Sequence, residues 1–554
     1  MTTEISAPES KKPSINPFLR ALLGLLMLLP ACALCSTNAL GLTIDTFTSS
    51  QQSKPSSSDS EFVGPENFER LFDTRIFTSA IEFTSQVVLV RTLIAAIFPI
   101  LLSIGVYQLG KRSRRGVRLL FTLPMAFFAP VLMAYFSQRM DWMWDRESTK
   151  TTVLLIEAMT MLIVSCAAGL LAYSAILRRY EAHEKGWRAA LPSLIAVWLI
   201  GQFAVTAYAL QAFVLLGFIS KFGAFTFSQF VFETTRIFNL HVGFAASVLV
   251  FLPVAMSGML ATLILVLFRL QLEHDPKSED IERPGNRLFG ILGWVVTAIG
   301  AFGVIFILFA PYLVSLLDVL LGKGESYAAP ASVSFVKIWL NSILPPLLVI
   351  LFVQLPVAYL GALAIGAVRP FGRWSEWLLL LFSPWLFVTS MPFILQRLLD
   401  LDDADALDTF PALLPPLLIS VPMLVVLTIF FKGHEPKWRQ ARAEGMPAMR
   451  AFFTKLFIPS LPLAGFMAAL SFLAASQDLI HSLPVVWDLE QFNATSAIFR
   501  FFTFDLLESE KAILIFGFPI FLIFSVIFLA LRMFYLDKLS LGREPTVAKQ
   551  ETPG

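Results

Sequence analysis

An all-α, polytopic membrane fold of about twelve crossing helices is predicted by three features of the sequence. The composition is 56% hydrophobic and only 15% charged, where a soluble protein of this length would carry about 25% charged residues. The apolar residues gather in blocks of about 20 or more, enough to cross a hydrocarbon core of roughly 30 Å as helix. Alternating strands of barrel type are absent, so the backbone must satisfy itself within helices.

Reading the blocks between charged or Pro/Gly-rich breaks gives spans at 18–42, 85–109, 117–137, 151–176, 190–219, 238–268, 288–320, 335–367, 375–396, 410–431, 456–476 and 511–534. Lys11, Lys12 and Arg20 precede the first block, and Leu29-Pro30-Ala31-Cys32 has the outline of a lipoprotein cleavage box. Pro30 fits that box poorly and apolar residues continue to Leu42, so an uncleaved first helix is expected. Connections between alternate spans collect Lys111, Arg112, Arg114, Arg115, Arg118, Arg178, Arg179, Arg369, Arg373, Lys432, Lys437 and Arg439. The positive-inside rule then puts both termini in the cytoplasm.

The polar stretch Leu270 to Arg287 follows the sixth span and divides the chain into two halves of six. Internal duplication is a common transporter plan. The expected organisation is a cytoplasmic tail at 1–17, a first half at 18–270, a linker at 271–287, a second half at 288–535 and a cytoplasmic tail at 536–554.

Cys32, Cys35 and Cys166 all lie in apolar segments, so no disulfide framework or metal site follows from them. Gly105 to Arg112 nearly spells a phosphate-binding loop, but Arg112 stands where Ser or Thr is required and the run closes a helix. The chain therefore carries no ATP site of its own. Asn493-Ala494-Thr495 has the form of a glycosylation sequon.

Charges inside spans are costly and point to function by default. Arg91 and Glu157 lie at similar depth in the second and fourth spans, so an ion pair between them would offset the burial of both. It would serve as a packing clamp or as a polar wall of a solute path. Gln202 and Tyr208 in the fifth span, and Asn341, Gln354 and Tyr359 in the eighth, need polar partners in hydrocarbon. Each would bond to another helix or to a hydrophilic solute.

Several runs, in order, resemble the carbohydrate-type permeases of binding-protein-dependent ABC importers. In the first half these are Leu42-Thr43-Ile44-Asp45, Val63 to Phe72, the basic turn Lys111 to Val131, Thr234 to Phe238 and Gly243 to Ser247. In the second half Trp339 to Ser342, Pro356 to Tyr359, Phe452 to Pro459, Ser471-Phe472 and Leu483 to Val486 resemble the partner permease of the same family. The resemblance covers nearly the whole chain and implies two permease subunits fused in one polypeptide of the bacterial inner membrane. It further implies a carbohydrate or similar polar solute, an extracytoplasmic solute-binding protein, and a cytoplasmic ABC ATPase dimer that holds ATP and Mg. No nucleic-acid partner is expected, and no catalysis in this chain.

The family couples to its ATPase through a cytoplasmic E-A-A-x(3)-G loop. An amphipathic helix fits a groove of the motor, and the Gly permits a sharp turn after it. The matching positions in the second half are Arg439, Gln440, Ala441, Glu444 and Gly445, with Arg439 replacing the leading Glu and Ile458-Pro459 one residue late. The first half offers Glu181, Ala182 and Gly186, with Leu191-Pro192 about seven residues too soon. A reading of another class is a membrane glycosyltransferase using a lipid-linked sugar, with Asp400, Asp402, Asp403, Asp405 and Asp408 holding a divalent cation. A third is a degenerate permease retained as a scaffold.

Overall fold

The computed structural model of the chain describes residues 17–55, 59–139, 146–182, 187–213, 225–236, 239–275, 286–322, 334–503 and 509–544. Most of the expected linker, 276–285, lies outside them, as do the tails at 1–16 and 545–554 and the residues Ile237 and Phe238. The architecture is that of an all-α, multi-pass membrane protein. Among the described residues nine helices are long and apolar enough to cross a membrane.

In chain order these are α1 (Phe18–Ser49), α2 (Arg75–Tyr107), α3 (Lys150–Tyr180), α4 (Arg188–Leu210), α5 (Leu240–Leu267), α6 (Arg287–Leu320), α7 (Phe335–Val368), α9 (Ala448–Ser476) and α10 (Glu510–Lys538), with α8 (Val421–Ala443) before α9. They match nine of the twelve expected spans. The other three, 117–137, 375–396 and 410–431, are not single helices. The first is built from Lys111–Leu120, a 3₁₀ turn at Leu123–Ala126 and Ala129–Arg139. The second runs as 3₁₀ helix over Gly372–Leu381, then through short turns at Ser383–Trp385 and Met391–Phe393 into Ile394–Asp403. The third enters through a 3₁₀ turn at Phe410–Leu413 and becomes regular only in α8. Pro124 and Pro130 interrupt the first, Pro384 and Pro392 the second, and Pro411, Pro415 and Pro416 the third. Each proline removes a donor and clashes with the preceding turn.

Prolines inside the long helices act more gently. At Pro311, Pro356, Pro459 and Pro519 the residue just before the proline donates its N–H five residues back, to Ile305, Ile350, Phe453 and Ile513. The preceding turn is thus widened into a π turn. This relieves the clash between the ring and the carbonyl four residues earlier while the helix continues.

Packing between helices uses small residues, as expected where lipid removes the hydrophobic incentive to associate. A Cβ on Gly105 of α2 would lie 2.2 Å from the Cα of Gly293 on α6. Gly366 of α7 lies equally tight on the Thr428 carbonyl of α8, where a Cβ would sit 2.6 Å away. Large apolar side chains such as Leu23, Leu26, Ile291, Phe302 and Phe352 point outward and remain exposed, as lipid-facing positions do. The two sequence halves interleave: α1 packs against α7, and Asn38 bridges the Pro416 carbonyl and the Leu418 N–H.

One end of the bundle is tied by a feature the sequence did not announce. Strand β1 (Leu270–His274) pairs antiparallel with β2 (Leu539–Arg543), so the start of the expected linker is stitched to the end of α10. Arg178 donates to the Leu539 carbonyl at 3.0 Å, Arg179 pairs with Glu273 at 3.0 Å, and Asp537 sits beside Arg532 at 2.7 Å. Gly433 of α8 lets the Leu272 carbonyl approach, for a Cβ there would be 2.3 Å from that oxygen.

Candidate functional site

Two regions hold the residues singled out above: the tip of the α8–α9 hairpin and a set of polar side chains within the bundle.

The hairpin begins with charge at its root. Lys432 is buried and bonds to Glu376 at 2.7 Å, with Glu544 at 3.5 Å; Glu376 also meets Arg369 at 3.2 Å. A buried Lys needs such partners to stay charged, and the pair ties α8 to the 3₁₀ segment and to the chain's C-terminal strand. Beyond it α8 leaves the packed bundle. Arg439, Gln440, Ala443 and Glu444 are exposed, whereas Ala441 is buried against the bundle. Arg439 pairs with Glu435 one turn earlier, and Gln440 donates to Glu444 at 2.8 Å.

The helix ends at Gly445 with φ +88°. The Gly445 N–H bonds the Arg442 carbonyl (3.2 Å) and the Met446 N–H bonds the Ala441 carbonyl (3.0 Å). That doubled bond is the Schellman arrangement, which needs a left-handed residue after the helix. Pro447 and Ala448 then start α9 in the reverse direction, with Met449 70% exposed. The predicted turn at Gly445 is present. The residues Arg439 to Ala443 are the final turns of a long helix and do not form a separate short one. In the first half, Glu181 and Ala182 lie at the end of the helix Arg146–Ala182, and Gly186 lies outside the described residues.

The expected Arg91–Glu157 pair is formed. Arg91 Nε donates to Glu157 Oε2 at 2.6 Å, and its terminal nitrogen contacts the same oxygen. Glu157 is fully buried, and among the described residues its Oε1 has no hydrogen-bond partner; nor do the buried hydroxyls of Thr92 and Thr160. Gln202 joins this region: with its amide oriented to match its neighbours, it donates to the Thr92 carbonyl (3.1 Å) and accepts from the Ala96 N–H (3.3 Å). Trp198 donates to the Ala96 carbonyl at 3.1 Å. The result is a polar seam joining α2, α3 and α4.

Tyr208 stands apart, half exposed near Phe387. Asn341 donates to the Glu490 and Phe492 carbonyls at 3.1 and 3.4 Å. Gln354 donates to the Leu417 carbonyl at 2.8 Å, and Tyr359 shares a hydrogen bond with Ser460 at 2.7 Å. These three fasten helices and loops to one another, and they do not converge with the Arg91 seam. A cavity of about 40 Å³ beside Asn341, Ser342, Asp478, His481 and Asn493 has room for water but not for a sugar. Burial pushes the Asp478 carboxyl up to about 6, against the opposing hydrogen bonds from Ser390 and the His481 N–H. Burial and then the Arg397 charge press the His481 ring down to about 4.

Asp400 accepts from Gln396 at 2.8 Å, while Asp408 accepts from the Asp488 N–H at 2.8 Å and from the Trp487 N–H. Asp408 thereby caps a turn. Among the described residues no group of three or more His, Cys, Asp or Glu is gathered as a metal site would require. Asn493 accepts from Ser496, so the sequon-like run starts a helix.

The residues missed by sequence reasoning are Glu376, Lys432, Glu544 and the β1–β2 pair. The one signal for Lys432 was its place at the end of an apolar run, next to Gly433-His434-Glu435. Comparison of the sequence with protein-family models and with curated proteins gives no match.

Proposed function

We propose that this chain is the fused permease of a binding-protein-dependent ABC importer for a carbohydrate or similarly polar solute. Separate cytoplasmic ATPases supply ATP hydrolysis, and an extracytoplasmic binding protein delivers solute. The observation that carries the reading is the hairpin tip at Arg439 to Met449. It is an exposed, helix-led knob of Ala443, Glu444, Gly445, Pro447, Ala448 and Met449, shaped by a glycine turn and rooted in a buried ion-pair network. Small and apolar residues on a rigid tip suit insertion into a groove on a partner. The root transmits force, because Lys432, Glu376, Arg369 and Glu544 connect the tip to three other segments.

Twelve crossings complete the reading, three of them irregular. On this reading the segments 111–139, 372–403 and 410–443 each pass from one end of the bundle to the other. The end carrying Arg118, Arg178, Arg369, Lys432 and Arg439 faces the cytoplasm by charge, with both termini there. Transport is then a shift between two packings, driven by nucleotide-dependent closure of the ATPase pair on the tip.

The test is purification in mild detergent from the native host. An ATPase subunit should copurify with the wild type and be lost when residues 443–448 are replaced by Gly-Ser repeats, while the permease itself stays monodisperse. Absence of any ATPase, under conditions that preserve other ABC importers of that host, sinks the reading.

A further inference from the structure

A cavity of about 320 Å³ opens at the same end of the bundle, lined by Arg269, Arg369, Arg373, Trp374, Trp377 and Glu544 among others. It lies where α5 ends at Leu267 and α7 ends at Val368, which is headgroup depth for any membrane those helices cross. Leu267 lines it and is exposed, as an acyl-chain contact would be. Trp374 and Trp377 stand with centroids 6.1 Å apart, both exposed, and the Arg373 guanidinium lies over the Trp374 ring at 5.6 Å. Tryptophans at this depth mark the membrane–water interface.

The charge balance leaves a cationic surplus at the mouth. Glu376 is already committed to Lys432 (2.7 Å) and Arg369 (3.2 Å), and Glu544 leans on Lys432 (3.5 Å). Arg269 and Arg373 have no carboxylate partner among the described residues. Backbone conformation adds an independent sign. Arg269 and Arg369 take φ of +48° and +54°, a left-handed conformation that glycine adopts freely and arginine does not. Arg369 directly follows the end of a spanning helix and Arg269 follows one after the single residue Phe268, at helix ends where glycine is the usual left-handed occupant. Strain kept at two positions lining one cavity points to a use for the side chains.

We propose that this cavity is a binding site for the phosphate of an anionic phospholipid, with Arg269 and Arg373 gripping the headgroup and Trp374 and Trp377 seating its glycerol region. Basic pockets between membrane helices bind such headgroups. The site requires only that the chain sits in a bilayer and is independent of the importer reading.

Full-length protein in neutral detergent, titrated with short-chain phosphatidylglycerol, phosphatidylcholine or inorganic phosphate and read by native mass spectrometry, tests it. Phosphatidylglycerol should bind about tenfold tighter than phosphatidylcholine. The Arg269→Gln/Arg373→Gln double variant should lose that preference. Arg112→Gln/Arg115→Gln, which removes equal charge elsewhere at the same end, should keep it. Arg373 is exposed, so Arg373→Gln alone serves as the second variant and should weaken the preference about threefold. Equal binding of the two lipids, or an unchanged preference in both Arg373 variants, overturns the proposal. Displacement of phosphatidylglycerol by inorganic phosphate at matched concentration overturns the lipid assignment in favour of a soluble phosphate.

Discussion

At the residue scale, the Arg91–Glu157 pair shows what a buried charge costs and what it specifies. Glu157 is wholly enclosed, and both Arg91 contacts go to one of its oxygens, leaving Oε1 and the hydroxyls of Thr92 and Thr160 without partners among the described residues. A carboxylate taken out of water without its guanidinium is left uncompensated, and breaking one side of such a pair costs about 3–5 kcal/mol. Replacing both sides with apolar residues of similar size is often neutral, because desolvation and attraction vanish together. Arg91→Leu and Glu157→Leu should therefore each lower the thermal midpoint and yield of the detergent-solubilised protein, and the double change should recover most of the loss. Solute uptake separates the two meanings of the pair. A clamp predicts that the double variant transports normally; a wall of the solute path predicts a stable protein with impaired uptake. Asn341 and Gln354 use their amide N–H groups, and Tyr359 its hydroxyl, to bond a neighbouring segment.

At the element scale, helix contacts are set by where a side chain is missing. Gly105 and Gly293 let α2 and α6 touch backbone to backbone, and an added Cβ on either would lie within 2.2–2.5 Å of the other's main chain. Nothing soft is there to move. Gly105→Ala and Gly293→Ala should each destabilise by about 1–3 kcal/mol, as overpacking does. Gly201→Ala and Gly465→Ala, where the new methyl meets nothing within 4 Å, should be neutral or stabilising through helix propensity. Thermal midpoints of the four variants decide it, and equal effects in all four would refute the close-contact account. The same physics explains which elements were legible in the sequence. Spans such as 238–268 and 288–320 are long apolar runs whose prolines are absorbed by the helix, so composition alone finds them. The segments around Pro124, Pro384 and Pro415 are equally apolar but carry several helix breakers or 3₁₀ turns, so hydropathy counted helices where the backbone bends. The Gly445 turn was readable because a left-handed helix end demands glycine. The β1–β2 pairing was not, because five mixed residues at 270 meet five at 539 only through the fold. Glu376 and Lys432 hid for the same reason, each looking like a stray charge at a span edge.

At the scale of the whole molecule, the proposed twelve crossings rest on an argument from parity. Nine crossings would leave the two ends of the chain on opposite sides of a membrane. Yet the Arg20 guanidinium near the start of α1 donates to the Val368 carbonyl, next to Arg369, and the Arg369–Glu376–Lys432 network reaches Glu544 beside β2. Residues near both ends of the described chain therefore meet at one end of the bundle, which favours the even count proposed above. The far end of α1 gives a second fix, for Ser49 bonds Gln396 at 3.2 Å, so the chain has travelled the length of the bundle between Gly372 and Gln396. It must travel back before Lys432. On the proposed account the segments 111–139, 372–403 and 410–443 all cross, bringing nine crossings to twelve, although only the last contains a long regular helix. Cysteine accessibility in intact cells provides the check. With Cys32, Cys35 and Cys166 replaced, a membrane-impermeant maleimide should label Ala404→Cys from outside, and should reach Arg115→Cys and Ala443→Cys only after permeabilisation. If 372–443 merely dipped into the bilayer and returned, Ala404→Cys would share the behaviour of Ala443→Cys. Outside labelling of Ala443→Cys would instead turn the molecule over, leaving its hairpin tip where no ATPase could hold it.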